Sequence, residues 1–215
     1  MTNKPDLILF DWDGTLVDTI EGIIAYNNML RTHYKMPLVD DEILKGIMSQ
    51  SSREYFRDTF GDEAETALKI FRNFVHDHHL TYVKPMENAV SFMEFLTTQQ
   101  IPFGVVSNKN TPTLVKEIEH LGWSHFFAVV VGAGEAARDK PTGDPLRLAL
   151  QKLNFNRQDK ILWYVGDTDT DMKASLDADF TPIFVEHGFH DRDMVMEYNP
   201  YLIVSNLIDL QSKLA

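Results

Sequence analysis

Five short apolar runs, each cut off by a polar or glycine-containing turn, constrain this chain more than any other feature. They are Leu7-Ile8-Leu9-Phe10, Phe103-Gly104-Val105-Val106, Phe127-Ala128-Val129-Val130-Val131, Ile161-Leu162-Trp163-Tyr164-Val165 and Pro182-Ile183-Phe184-Val185. Their residues do not alternate apolar with polar, so they suit strands buried on both faces of a parallel sheet. Helix-like stretches lie between them, at about Asn88–Gln99, Thr111–Leu121, Pro145–Leu153 and Asp171–Leu176. The alternation predicts an α/β fold, a doubly wound parallel sheet with a Rossmann-like core.

The segment from about Thr19 to Lys84 departs from this rhythm. Ile20, Ile23, Ile24 and Leu30 recur at helical spacing, as do Ala67, Ile70, Phe71 and Phe74, and no strand-like run intervenes. The expected organisation is a core of residues 1–16 and 85–215 and a helical insert of residues 17–84, closed by a turn at Lys84-Pro85.

Composition narrows the partners. With 20 Lys+Arg against 32 Asp+Glu the formal charge is −12. Such a chain lacks the basic surface that nucleic acids or anionic membranes need. It has no Cys, which removes disulfides, thiolate nucleophiles and Cys-type zinc sites together. No run approaches the ~18 apolar residues of a membrane span, and the first residues do not read as a secretory signal. The expectation is a cytoplasmic protein, monomer or homodimer.

In open α/β sheets, ligands bind beyond the carboxyl ends of the strands. There the chain carries Asp11-Trp12-Asp13-Gly14-Thr15, Ser107-Asn108-Lys109 and Gly166-Asp167-Thr168-Asp169-Thr170-Asp171, with Lys140-Pro141 in the loop before a helix. Several carboxylates cannot share a small site at neutral pH without a cation, because each raises the others' pKa. Oxygen donors without His or Cys point to Mg²⁺, which keeps waters and phosphate oxygens among its ligands. A Ser and a Lys beside it suit a phosphoryl group. An Asp can then act as nucleophile, and a second Asp two residues on as general acid and base.

Together, Asp11-Trp12-Asp13-Gly14-Thr15-Leu16, Ser107, Lys140 and Gly166-Asp167 through Asp171 resemble the four ordered motifs of the haloacid dehalogenase-like superfamily. The resemblance spans essentially the whole chain and is greatest for the phosphoglycolate phosphatase-like branch with a small helical cap. It implies Asp11 as nucleophile and Asp13 as general acid/base. It implies Mg²⁺ held by Asp11, the Asp13 backbone carbonyl, Asp167 and Asp171. Ser107, with the Asn108 backbone, and Lys140 would bind the phosphoryl group of a small phosphorylated metabolite, and the cap would close over it. Asp13 itself narrows the reaction, since the superfamily's dehalogenases lack this second Asp and its phosphonatases have Ala there.

Two departures stand out. The third motif reads Lys140-Pro141-Thr142-Gly143-Asp144-Pro145, where Gly143 is expected to loosen the loop. Ala178-Asp179-Phe180 replaces the relatives' Ala-Gly ending. Asp171 also reads as a helix N-cap, and Ser107 as a cap for the helix at Thr111. Arg53 could meet an anionic substrate tail, although a surface Arg at a helix start reads as well. The His76-Asp77-His78-His79 run lacks a second ligand pair and reads as a solvated helix end. The leading expectation is a Mg²⁺-dependent phosphatase. The alternatives are a phosphomutase of the β-phosphoglucomutase type and a non-catalytic phospho-acceptor module.

Overall fold

The structure, a computed structural model, describes residues 4–48, 52–186 and 192–214, and only the backbone of residues 48 and 52–54. The chain divides into one unit of Met1–Asp18 with Lys84–Ala215 and another of Thr19–Val83.

In the first unit, six parallel strands form one sheet. In chain order they are β1 (Leu7–Phe10), β4 (Phe103–Asn110), β5 (Val130–Ala133), β6 (Leu162–Gly166), β7 (Thr181–Val185) and β8 (Leu202–Val204). Their order across the sheet is β5-β4-β1-β6-β7-β8. The chain therefore builds outward on one side of β1, returns, and builds outward on the other, as a doubly wound sheet does. All four β1 residues are fully buried, which is why the strand reads as an unbroken apolar run. Helices α5 (Ala89–Thr98), α6 (Thr111–His120), α7 (Asp144–Lys152), α8 (Asp169–Asp177), α9 (Arg192–Met196) and α10 (Leu207–Leu214) connect or follow the strands. One core cluster joins Leu7, Leu9 and Tyr164 of the sheet to Leu146, Ala149 and Leu150 of α7.

Several details differ from expectation. Lys84-Pro85 is not a free turn but a two-residue strand, β3, paired antiparallel with β2 (Val17–Asp18). Strand β4 continues through Ser107 and Asn108, with a register irregularity between Val106 and Asn110. Such an irregularity re-aims side chains at the end of a strand. The third apolar run becomes strand only at Val130. Phe127 instead sets its ring edge-on to Trp12, 6.2 Å between centroids.

The second unit is helical: α1 (Ile20–His33), α2 (Asp41–Met48), α3 (Ser52–Phe60) and α4 (Ala64–Tyr82). Leu30, Tyr55, Phe56 and Ala67 form its own apolar core. Arg31 is buried there, with Nη1 donating to the Tyr55 hydroxyl at 3.1 Å. Among the described residues no helix is long and apolar enough to cross a membrane.

Candidate active site

The carboxyl ends of the two central strands, β1 and β6, carry the site. Asp11 follows β1, its N–H donating to the Val165 carbonyl at 2.9 Å, and Asp167 follows β6. Asp171 lies one turn into α8. Carboxylate oxygens of Asp11, Asp167 and Asp171 lie within 4.8 Å of one another, and all three residues are buried.

Asp171 is not the N-cap of α8. That position is Thr168, whose hydroxyl accepts from the Asp171 N–H at 3.1 Å. Asp171 Oδ2 in turn accepts from the Thr168 N–H at 3.1 Å and its hydroxyl at 2.6 Å. This capping box turns the other oxygen, Oδ1, toward the cluster. Asp167 Oδ1 accepts from the Thr15 hydroxyl at 3.1 Å. Gly14 makes room for it: at φ +76°, a Cβ there would fall 2.3 Å from Asp167 Oδ2.

Lys140 reaches into the middle of these acids. Its ammonium is 2.8 Å from Asp11 Oδ1 and 2.7 Å from Asp171 Oδ1, and it donates to the Tyr164 hydroxyl at 2.9 Å. The Tyr164 hydroxyl in turn donates to the Val106 carbonyl at 2.7 Å. The Asp11 Oδ1 contact is close but poorly directed, so this buried oxygen lacks a proper hydrogen bond among the described residues. Burial, then the charge of Asp171, raises the Asp11 carboxyl to about 7 against the pull of Lys140, and Asp167 adds to the rise. Burial works against the Lys140 ammonium, but Asp11 and Asp171 outweigh it and hold its pKa well above the ordinary lysine value.

The loop that delivers Lys140 is tight. A Cβ on Gly143 would lie 2.6 Å from the Ala178 nitrogen, and the Gly143 N–H donates to Asp177 Oδ2 at 2.5 Å. Glycine at this position allows close packing rather than loosening the loop. Ala178-Asp179-Phe180 also closes α8 properly. The Phe180 N–H bonds to the Ser175 carbonyl and the Asp179 N–H to that of Leu176, with Asp179 at φ +56°, a left-handed conformation that favours glycine.

The remaining expected residues are distributed as follows. Ser107 is buried and its Oγ accepts from the Lys109 N–H at 3.1 Å, so it does not cap α6. The Asn108 side chain holds the Lys140 backbone at both its N–H and its carbonyl. Asp13 stands outside the three-carboxylate cluster, with Oδ1 2.7 Å from Lys109 Nζ. Arg53 lies in α3 of the helical unit, and its side chain is outside the described residues. His76 pairs with Asp77 at the surface, while His79 is buried.

Three contributors escaped the sequence reading: Tyr164, Lys109 and Glu117. Glu117 is buried in α6 and accepts at 2.7 Å from both the Trp12 indole and the Lys109 ammonium. Its signal was visible, since Leu114, Glu117, Ile118 and Leu121 share one helical face and an acid interrupts an apolar stripe. Lys109 is half-buried. Desolvation is overcome by Asp13 and Glu117, which raise its pKa above the ordinary value.

This arrangement lies at the switch point of a doubly wound sheet, where ligands of such folds bind, and comparison with known proteins gives the family. Residues 8–185 match the model of the haloacid dehalogenase-like hydrolases, and the chain belongs to that family. A pyrophosphatase PpaX of Listeria welshimeri is 26% identical over 211 residues, covering 98% of this chain and 96% of the relative. A haloacid dehalogenase-like hydrolase of Streptococcus pneumoniae superimposes with a TM-score of 0.87 at 22% identity, each chain fully covered. A predicted phosphoglycolate phosphatase of Haemophilus somnus does so with 0.85 at 18% identity, again over both full chains. Membership of a hydrolase family displaces the non-catalytic phospho-acceptor module.

Proposed function

We propose that this enzyme is a Mg²⁺-dependent phosphatase of small phosphorylated metabolites, working through a phosphorylated Asp11. The observation that carries the reading is the buried Asp11–Asp167–Asp171 cluster, with an ill-directed Asp11 oxygen at its heart. One ammonium cannot neutralise three buried carboxylates, and an all-oxygen donor set suits a hard divalent cation. Asp11, Asp167 and the Asp13 carbonyl would hold Mg²⁺, with Asp171 supporting. When bound, the ion offsets charge on the phosphoryl oxygens.

The residues divide the chemistry. An Asp11 carboxylate oxygen attacks phosphorus, and the ester P–O bond breaks with its electron pair going to the departing oxygen. That oxygen takes a proton from Asp13. Water then attacks the phosphorus, passing its proton to the Asp13 carboxylate. The Asp11–phosphorus bond breaks, its electrons return to Asp11, and inorganic phosphate leaves. Lys140 and Ser107 would orient the phosphoryl group, and Arg53 is proposed as a contact for the rest of the substrate. Residues 17–84 are proposed as the cap that selects that substrate.

The test is hydrolysis of p-nitrophenyl phosphate with and without Mg²⁺, beside Asp11→Asn, followed by a panel including phosphoglycolate and pyrophosphate. Metal-dependent turnover that vanishes in the folded variant is expected. Undiminished turnover in Asp11→Asn overturns the assignment, and activity that requires a bisphosphate activator assigns a phosphomutase instead.

A further inference from the structure

Glu117 places a negative charge in the interior of the sheet unit, and a buried carboxylate persists there only if paired and hydrogen-bonded. Its Oε2 meets both needs through Lys109 and Trp12, each at 2.7 Å. That pairing would be complete if Lys109 stopped there. Instead the same ammonium makes a second contact of 2.7 Å, to Oδ1 of Asp13, whose side chain is 35% exposed. Asp13 Oδ2 has no hydrogen-bond partner among the described residues.

Lys109 is itself fixed at both ends. Its N–H donates to Ser107 Oγ, just where β4 becomes irregular, and its ammonium is anchored to α6. Glu117 also grips Trp12, the residue between Asp11 and Asp13, through the indole N–H. Trp12 is immobilised further by edge-on contact with Trp123, 5.7 Å between centroids. One buried acid on a regular helix thus braces both the turn that carries Asp13 and the cation that holds its carboxyl group.

We infer that Lys109, anchored by Glu117, is a positioning residue for Asp13: it fixes the carboxyl group by Oδ1 and leaves Oδ2 to exchange protons with the departing oxygen and with water. The inference rests on the phosphatase reading above. A side chain that transfers protons must be held at hydrogen-bond reach of the reacting oxygen, and an unsupported Asp on a turn would spread over several rotamers. The second contact of Lys109 removes that freedom on the Oδ1 side without touching the carboxylate cluster.

The experiment measures kcat/KM across aryl and alkyl phosphomonoesters, from p-nitrophenyl phosphate to phosphoglycolate and glycerol phosphate, for wild type, Lys109→Met, Glu117→Gln and Asp13→Asn. p-Nitrophenolate departs without help, whereas an alkoxide needs a proton. Lys109→Met should lose roughly 10²-fold on the alkyl esters and stay within about threefold on p-nitrophenyl phosphate. Glu117→Gln should change the leaving-group dependence in the same direction, and Lys109→Arg should restore part of it. Adding Lys109→Met to Asp13→Asn should cost little more than Asp13→Asn alone. A loss equal on all esters, or one additive with Asp13→Asn, overturns the inference while leaving the phosphatase reading intact. Wild type inactive on every ester overturns both. If Lys109→Met does not fold, Glu117→Gln and Lys109→Arg carry the same comparison.

Discussion

Asn108 and Lys140 are joined by a reciprocal pair of hydrogen bonds: the Lys140 N–H donates to Asn108 Oδ1 and Asn108 Nδ2 donates to the Lys140 carbonyl, each at 3.0 Å. The end of β4 is thereby tied to the loop before α7, and the lysine that neutralises Asp11 and Asp171 is held by its main chain. Asn108→Ala should cost about 1–3 kcal/mol, two modest hydrogen bonds. It should also lower kcat/KM roughly 10–100-fold as Lys140 drifts. Denaturant midpoints and p-nitrophenyl phosphate kinetics measure both; wild-type values in both would show the clamp to be dispensable.

Lys140→Met should be far more damaging. It leaves Asp11 and Asp171 buried without their shared cation, and breaking such an ion pair costs on the order of 3–5 kcal/mol. The loss should be smaller at pH 5, where the Asp11 carboxyl is protonated, and part of it should be recovered by Mg²⁺ at pH 8. Equilibrium unfolding at the two pH values tests this, and a pH-independent loss would contradict it.

Proton and metal should compete for Asp11. Its folded pKa of about 7 lies above the ordinary 3.8, so folding favours the protonated form. That contribution to stability is complete below about pH 4 and declines as pH rises to about 7, by about 1.4 kcal/mol per unit. Without metal, wild type should therefore lose Tm relative to Asp11→Asn between pH 5 and pH 8. The Tm increment from Mg²⁺ should grow over the same range, because the cation binds the deprotonated site. Thermal melts of both proteins with and without Mg²⁺ decide it; an increment independent of pH counts against the cluster as the metal site.

Asp179→Gly should stabilise the protein. Asp179 occupies left-handed backbone at φ +56° in the turn that ends α8. Relief of that strain, about 1 kcal/mol, exceeds the worth of its exposed pairing with Arg157. A Tm rise of roughly 2–4 °C with unchanged kcat/KM is expected. A lower Tm would show that the Arg157 pairing outweighs the strain.

How much of this was legible in the sequence follows from burial and range. Strands such as Leu7–Phe10, enclosed on both faces, announce themselves as apolar runs, and the acids that follow β1 and β6 could be found by asking where those runs stop. β2 and β3 have two residues each, too few to show a period, so Lys84-Pro85 read as a turn. β8, three residues at a sheet edge with only Val204 buried, and α10 carry equally weak signals. Ser107 and Asn108 looked like the end of β4 because polarity was taken for termination, yet both remain in the strand. The Lys109–Glu117 and Asn108–Lys140 pairings are non-local, and only the misplaced acid on the α6 stripe hinted at the first. Capping followed local geometry, which handed the N-cap of α8 to Thr168 rather than Asp171.

The pairing of Asp18 with Lys84 has a consequence for how such a chain can change over time. The polypeptide leaves the sheet unit and rejoins it at facing residues, so to the sheet everything from Thr19 to Val83 is the tip of a hairpin. Closing a hairpin becomes only slowly costlier as its tip lengthens, and here the tip has a core of its own. Recombination could exchange that tip wholesale while both stems stay in register, leaving the carboxylates at the ends of β1 and β6 unaltered.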